Sequence, residues 1–183
     1  MIELNAKQLR SYQSSAISRQ TLKKIKKQEI YIVLDNVLDT YNIGSIFRLA
    51  DAVAAKKIYL CAGSETPPNH RIKKASINTT EVVDWSYAES AKEAINDLRL
   101  KINDIQIIAI EQSVRSTPYD KFKYKLPICL VVGHETDGVS KEVLEMADAI
   151  VELPMFGVNI SLNVMVCLGI VLYEVVEKSK IID

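Results

Sequence analysis

From Ile30 onward the chain alternates between short apolar, β-rich runs and longer amphipathic stretches. The apolar runs are Ile30–Leu34, Lys57–Cys61, Glu81–Val83, Ile105–Ile110, Ile128–Val132 and Ala149–Leu153. Each suits a strand and is too short for a buried helix. Helical periodicity predicts helices over about Ile43–Ala54, Tyr87–Lys101 and Ser140–Ala147, with a last one from about Ser161 to Lys178. Strands alternating with helices predict an α/β fold, a mostly parallel sheet flanked by helices. Ligands of such sheets sit beyond the carboxyl ends of the strands, so the loops there should carry the chemistry. The segment 62–70, with Gly63, Pro67 and Pro68, reads as a turn-rich surface loop.

Ahead of the first strand the pattern differs. Residues 1–28 are mostly polar, and Leu9, Ile17, Leu22 and Ile25 give a sparse apolar side. This predicts a helical extension over 1–28 followed by one domain over 29–183.

The chain has 183 residues, 48% hydrophobic and 25% charged, enough to bury a core without disulfides or a structural metal. Its 23 Lys and Arg balance 23 Asp and Glu. A net charge of zero first argues against a nucleic-acid partner, but the distribution reverses that. Residues 1–28 hold seven basic groups (Lys7, Arg10, Arg19, Lys23, Lys24, Lys26 and Lys27) against Glu3 alone, and the remaining body carries a net −6. The basic segment is either a solvated surface helix or an arm for a polyanion.

The longest apolar run is broken by Asn163 and ends at Glu174, short of the roughly 18 residues of a membrane helix. Residues 1–10 lack the apolar core of a secretory signal. Cys61, Cys129 and Cys167 are far apart in apolar segments, as expected of buried thiols in a cytoplasmic protein. No CxxC and no HExxH occur, so no metal is expected. There is no GxGxxG. Gly133 to Gly138 has P-loop spacing, yet Val139 stands where the phosphate-neutralising Lys belongs, which excludes nucleotide hydrolysis.

Three segments carry information. In 34–48, a polar loop follows the first strand, Asn42 is placed to cap a helix, and Arg48 lies nearly two turns further among apolar neighbours. Such an Arg is either paired with Asp51 or Asp39, or directed at a substrate phosphate. In 129–140, a buried strand runs into an acidic loop bounded by Gly133 and Gly138. Those glycines allow close backbone approach by a ligand, and Ser140 is a plausible cap. In 151–174, Pro154 and Gly157 break the chain, and Ser161 and Asn163 stand at the start of an apolar helix whose free N–H groups can hold a polar ligand.

Taken together, these segments resemble the SpoU/TrmH family of the SPOUT class, the 2′-O-ribose RNA methyltransferases. Asn42, Gly44 and Arg48 match its first motif, Asn-x-Gly-x-x-x-Arg. Gly133, Glu135, Gly138, Val139 and Ser140 match its second, Gly-x-Glu-x-x-Gly-[Val/Leu]-Ser. Leu153, Pro154, Met155 and Ser161 to Val164 match its third, [Ile/Leu]-Pro-Met followed by Ser-Leu-Asn-Val. The motifs occur in the family's order from about Tyr31 to the C-terminus, whereas Met165 and Cys167 replace its usual small residues, a change expected to affect packing more than chemistry.

The resemblance implies a SPOUT fold with a deep C-terminal trefoil knot, S-adenosylmethionine as cofactor, an RNA substrate (tRNA ahead of rRNA) and a homodimer with a composite site. By resemblance, Gly133, His134, Gly138, Leu153, Met155 and Leu162 hold the cofactor, and Arg48, Asn42, Glu135, Ser161 and Asn163 form the catalytic set. Arg10, Arg19, Lys23, Lys24, Lys26 and Lys27 of the extension are expected to contact RNA. A catalytically silent RNA-binding member and an RNA base methyltransferase are the alternatives.

Overall fold

The computed structural model describes residues 26–179. Arg10, Arg19, Lys23, Lys24 and most of the expected helix over 1–28 lie outside them. Lys26 is exposed and Lys27 partly buried, its Nζ donating to the Val82 carbonyl at 3.4 Å.

The elements run β1 (Gln28–Asp35), α1 (Thr40–Ala52), β2 (Ala55–Cys61), α2 (His70–Ser76), a 3-10 turn (Thr79–Glu81), β3 (Trp85–Ala88) and α3 (Ala91–Lys101). They continue with β4 (Gln106–Ile110), β5 (Thr117–Pro118), β6 (Ile128–Gly133), α4 (Lys141–Met146), β7 (Ala149–Glu152) and α5 (Val164–Lys178). The strands form one sheet in the order β3-β2-β1-β6-β4-β7-β5, with every pairing parallel. Side chains alternate across a strand. Ile30, Ile32 and Leu34 of β1 therefore face α1 (Ile43, Ile46, Phe47) and α5 (Leu168, Val171, Leu172). Tyr31 and Val33 face α3 (Ala94, Ile95, Leu98) and Val143 of α4. Both faces are covered, which is why the strands read as unbroken apolar runs. The parallel α/β architecture expected from the pattern is thus present.

After β1 the chain adds β2 and β3 on one side and only later places β6 on the other. The carboxyl ends of β1 and β6 lie side by side, Asp35 in register with Gly133. Such a reversal of strand order opens a crevice for ligands, and two of the three motif segments begin there.

Local chemistry corrects several expectations. Asn42 does not cap α1. Asp39 does, its Oδ1 accepting from the Tyr41 N–H at 2.7 Å and the Asn42 N–H at 3.3 Å, so the helix starts three residues early. Glu81–Val83 is no strand. Asn78 takes a left-handed conformation (φ 66°), Thr79 Oγ1 donates to the Ser76 carbonyl at 2.8 Å, and the resulting turn shifts the pairing with β2 to Trp85–Ala88. Tyr87 therefore lies in a strand, and α3 begins after Ser90, whose Oγ accepts from the Glu93 N–H. The loop at 62–70 leads into α2, capped by Asn69. Ser140 precedes α4 without a side-chain cap. Ser161 stands before α5, which Asn163 caps through bonds from the Met165 and Val166 N–H groups at 2.9 and 3.4 Å.

Gly44 of the first motif has a packing cause. A Cβ there would lie 2.5 Å from Ala75 Cβ and 2.7 Å from the Ile72 carbonyl oxygen. Only glycine lets α1 and α2 approach this closely.

Candidate functional site

A cavity of about 530 Å³ opens at the carboxyl ends of β4, β6 and β7, within the size range of small-molecule sites. Gly133, His134, Gly138, Leu153, Met155 and Leu162 all line it, together with Glu135, Ser161 and Asn163.

One wall is the loop 133–138. The His134 N–H donates to the Gly138 carbonyl at 3.0 Å and the Gly138 N–H to the His134 carbonyl at 2.9 Å, which closes a tight bend. A Cβ on Gly133 would fall 2.1 Å from the Gly138 carbonyl. Gly138 has φ +71°, and a Cβ there would meet Glu111 Oε2 at 2.2 Å. Both glycines are thus required by geometry. His134 Nδ1 accepts from the Thr136 and Asp137 N–H groups at 3.1 and 3.2 Å, which ties the ring to its own loop.

Three residues that sequence reasoning missed brace the loops around the cavity. Glu111, just past β4, accepts from the Val139 N–H at 2.9 Å, and Gln112 Nε2 donates to the Ile160 carbonyl at 2.7 Å. Asp35, buried at the end of β1, accepts from the Ser140 N–H at 2.8 Å. Their signal was positional: each lies at or just past the carboxyl end of a parallel strand.

Residues from the three motifs interlock at the cavity edge. Asn163 Nδ2 donates to Asn42 Oδ1 at 3.0 Å, and Asn42 Nδ2 donates to Glu135 Oε1 at 3.0 Å. Glu135 also accepts from the Leu38 and Asp39 N–H groups at 3.1 and 2.9 Å. Burial by itself raises the Glu135 pKa, but the bonds from Asp39, Asn42 and Leu38 outweigh it and hold the carboxyl below its ordinary value. A carboxylate engaged this way positions the 38–42 loop and makes a poor proton acceptor. Ser161 lies exposed on the cavity wall.

Arg48 is placed apart. It is exposed on the outer face of α1, does not line the cavity and, among the described residues, forms no ion pair with Asp39, Asp51 or any other acid. The paired reading is thereby removed. Exposure also removes the burial cost that made this Arg conspicuous in the sequence.

Cys61 and Cys129 are buried as expected. Burial pushes the Cys61 thiol up to about 12 and raises Cys129 as well. Cys167 departs from expectation. It is only partly buried, lines the cavity, and lies with Sγ 3.8 Å from the Leu162 carbonyl, its pKa raised chiefly by burial. The replacement at 167 therefore reaches the site itself. Among the described residues no helix is long and apolar enough to cross a membrane, and no group of three potential ligands is placed to hold a metal ion.

Residues 29–173 match the model of the SpoU rRNA Methylase family. The chain is 34% identical over 159 residues to a tRNA (guanosine(18)-2'-O)-methyltransferase of Aquifex aeolicus, covering 85% of this chain and 72% of that one. It is 27% identical to a 23S rRNA (guanosine-2'-O-)-methyltransferase of Ralstonia nicotianae, covering 86% of this chain but 62% of that one. Among solved structures, the A. aeolicus TrmH/SpoU tRNA modifying enzyme superimposes with a TM-score of 0.76 at 28% identity, covering 86% and 78% of the two chains. An AdoMet-bound rRNA methyltransferase from Sinorhizobium meliloti gives 0.75 at 28% identity, covering 85% of this chain and 59% of that one.

Proposed function

The chain belongs to the SpoU rRNA Methylase family, and we propose from that membership that it transfers a methyl group from S-adenosylmethionine to a ribose 2′-oxygen of RNA. The observation that carries this reading is the cavity at 133–138 and 153–163, with Asn42, Glu135 and Asn163 hydrogen-bonded into one chain along its edge. A tRNA substrate is favoured, because the A. aeolicus relative, named for tRNA, is matched at higher identity and over a larger share of its length than the rRNA-named relative of R. nicotianae. The protein acts in the cytoplasm, and the loops 133–138 and 153–163 are the crossing segments of a trefoil knot.

The residues present suit the cofactor. Gly133 and Gly138 leave bare backbone on one wall, and Ile110, Val132, Leu153 and Leu162 supply apolar surface against which an adenine ring packs. Backbone groups of Gly133, Leu153, Met155 and Leu162 would hold its adenosine, with His134 and Gly138 in the adjoining loop. When bound, S-adenosylmethionine supplies an electrophilic methyl group on sulfonium.

The protein's own contribution is orientation and charge. A ribose hydroxyl is a weak acid, so attack needs in-line placement and stabilisation of negative charge on the oxygen. A guanidinium does not readily lose a proton in a protein, so Arg48 is not assigned as a base. It binds the adjoining phosphate and offsets charge developing on the 2′-oxygen, whose proton is released to solvent. Asn42 and Asn163 orient the ribose, Glu135 holds Asn42, and Ser161 shapes the wall. Because Arg48 lies outside the cavity of its own chain, a homodimer completes the site by bringing Arg48 of one copy to the cavity of the other. Exposed Val166, Ile170 and Tyr173 of α5 give the apolar surface for that contact. The basic residues of 1–28, Lys26 and Lys27 included, contact RNA backbone, and truncating the segment flattens the salt dependence of RNA binding.

The test is Arg48→Ala. Methylation of a tRNA transcript should fall by at least about 100-fold, the scale of losing one electrostatic stabiliser, while calorimetry shows S-adenosylmethionine binding retained. Equal loss of both in a folded variant removes the catalytic role of Arg48. Absence of cofactor binding in the wild type would favour the silent RNA-binding alternative.

A further inference from the structure

A second opening lies beside the first, on the other side of the 38–42 loop. It is an open groove of about 670 Å³ between the start of α1 and the start of α2, lined by Leu38, Tyr41, Glu65, Asn69, His70 and Arg71 among others. Its floor adjoins the candidate site directly, since the Leu38 and Asp39 N–H groups are the ones bonded to Glu135. Along its rim α2 exposes His70, Arg71, Lys73 and Lys74. Residues 66–80 carry three cations and no acid, flanked by Glu65 and Glu81, within a body whose total charge is negative. Among the described residues none of the three cations is ion-paired. Arg71 and Lys74 are three apart on one helix and point from neighbouring positions of the same face. Tyr41 is 51% exposed, so its ring is open to a ligand in the groove.

We propose that this groove and the basic face of α2 hold the RNA strand that leads to the methylated nucleotide, Tyr41 stacking on one base while Arg71 and Lys74 bind its phosphates. This rests on reading the chain as an RNA methyltransferase. The polarity of the groove sets the orientation. Asp39 is engaged as the α1 cap, and exposed Glu65 disfavours a phosphate on the inner side. Phosphates therefore run along the outer face of α2, and the base turns inward against Tyr41, which is how unpaired RNA is commonly held. Close packing of α2 on Gly44 fixes this face relative to α1, the helix that carries Arg48.

The experiment measures binding of an unmodified tRNA transcript to the full chain by fluorescence anisotropy, without S-adenosylmethionine, across a salt series. Arg71→Ala/Lys74→Ala should weaken binding about tenfold and lower the slope of log K against log salt by about 1.4–1.8, the loss of two phosphate contacts. Tyr41→Ala should weaken binding about tenfold, whereas Tyr41→Phe, which keeps the ring, stays within about twofold. Lys92→Ala/Lys101→Ala removes the same charge from α3, on the opposite face of the sheet, and should leave the slope unchanged. Circular dichroism verifies that each variant is folded. Wild-type affinity and slope in Arg71→Ala/Lys74→Ala, equal loss in the α3 control, or no binding by the wild type would each overturn the proposal. Methylation of the same transcript is assayed separately. A wild type that methylates while the α2 variants bind normally refutes this surface alone. A wild type that binds through α2 yet transfers no methyl group refutes the enzymatic reading and leaves the surface standing.

Discussion

Replacing Glu135 by Gln keeps the side chain's shape and removes its charge, which isolates the bonds that join the three motif segments. Oε1 accepts from the Asp39 N–H and Asn42 Nδ2 at 2.9 and 3.0 Å, and Oε2 from the Leu38 N–H at 3.1 Å. A Gln oxygen can keep the first two, now as neutral bonds, each weaker by about 1 kcal/mol than bonds to a charged group. Its NH2 then faces the Leu38 N–H, donor against donor, and that bond is lost. The full change approaches about 3 kcal/mol, but Glu135 is solvent-exposed and water replaces part of it, leaving about 1–2 kcal/mol. For a domain of this size that lowers Tm by roughly 3–6 °C. The assay is thermal unfolding of both proteins from pH 7 down to about 3.5. The folded protein holds this carboxyl below its unfolded value. Its stabilisation is therefore fully present above the unfolded pKa of about 4.3 and lost as pH falls through the lowered folded value. The gap between wild type and variant should be widest near pH 7 and narrow in acid. No gap at pH 7, or one that persists unchanged at the lowest pH, would refute the assignment of Glu135 as a charged staple.

Three further outcomes follow from local geometry. Gly44→Ala gains about 1 kcal/mol of helix propensity but forces contacts of 2.5 and 2.7 Å with α2. The overpacking cost of about 1–3 kcal/mol or more wins, so the urea midpoint should fall, with partial recovery in Gly44→Ala/Ala75→Gly. Gly138→Ala combines a left-handed φ with a 2.2 Å approach to Glu111, so calorimetry should show S-adenosylmethionine affinity reduced by at least about tenfold. Of the three thiols, only Cys167 borders the cavity. At pH 8 a thiol reagent should react slowly with Cys167 alone, all three should react after denaturation, and added S-adenosylmethionine should protect Cys167.

Much of the fold was legible because both sheet faces are covered. Five of the six expected apolar runs coincide with strands, since a strand buried on both sides must be continuously apolar whatever packs against it. The failures were local. Glu81–Val83 has a strand's composition, but the left-handed Asn78 turns the chain before it can pair. Thr117–Pro118 is two residues long and carries no pattern at all. The start of α1 was misplaced because Asp39 and Asn42 are both good caps, and only the backbone bonds choose between them.

The candidate site divides along the same line. The order and spacing of its motifs, the glycines that bound the loop 133–138, and the segregation of charge are properties of the chain read linearly. Only tertiary structure decided that Asn42, Glu135 and Asn163 hold one another, because residues about 90 and 120 positions apart meet solely through the reversal of strand order at β1 and β6. Only tertiary structure placed Arg48 on an outer face, brought Glu111 beneath Gly138, and gathered the α2 cations beside Tyr41. Periodicity determines which residues a segment buries. Which segments then face each other is set by the register and order of the sheet, and the chemistry of this protein resides in those meetings.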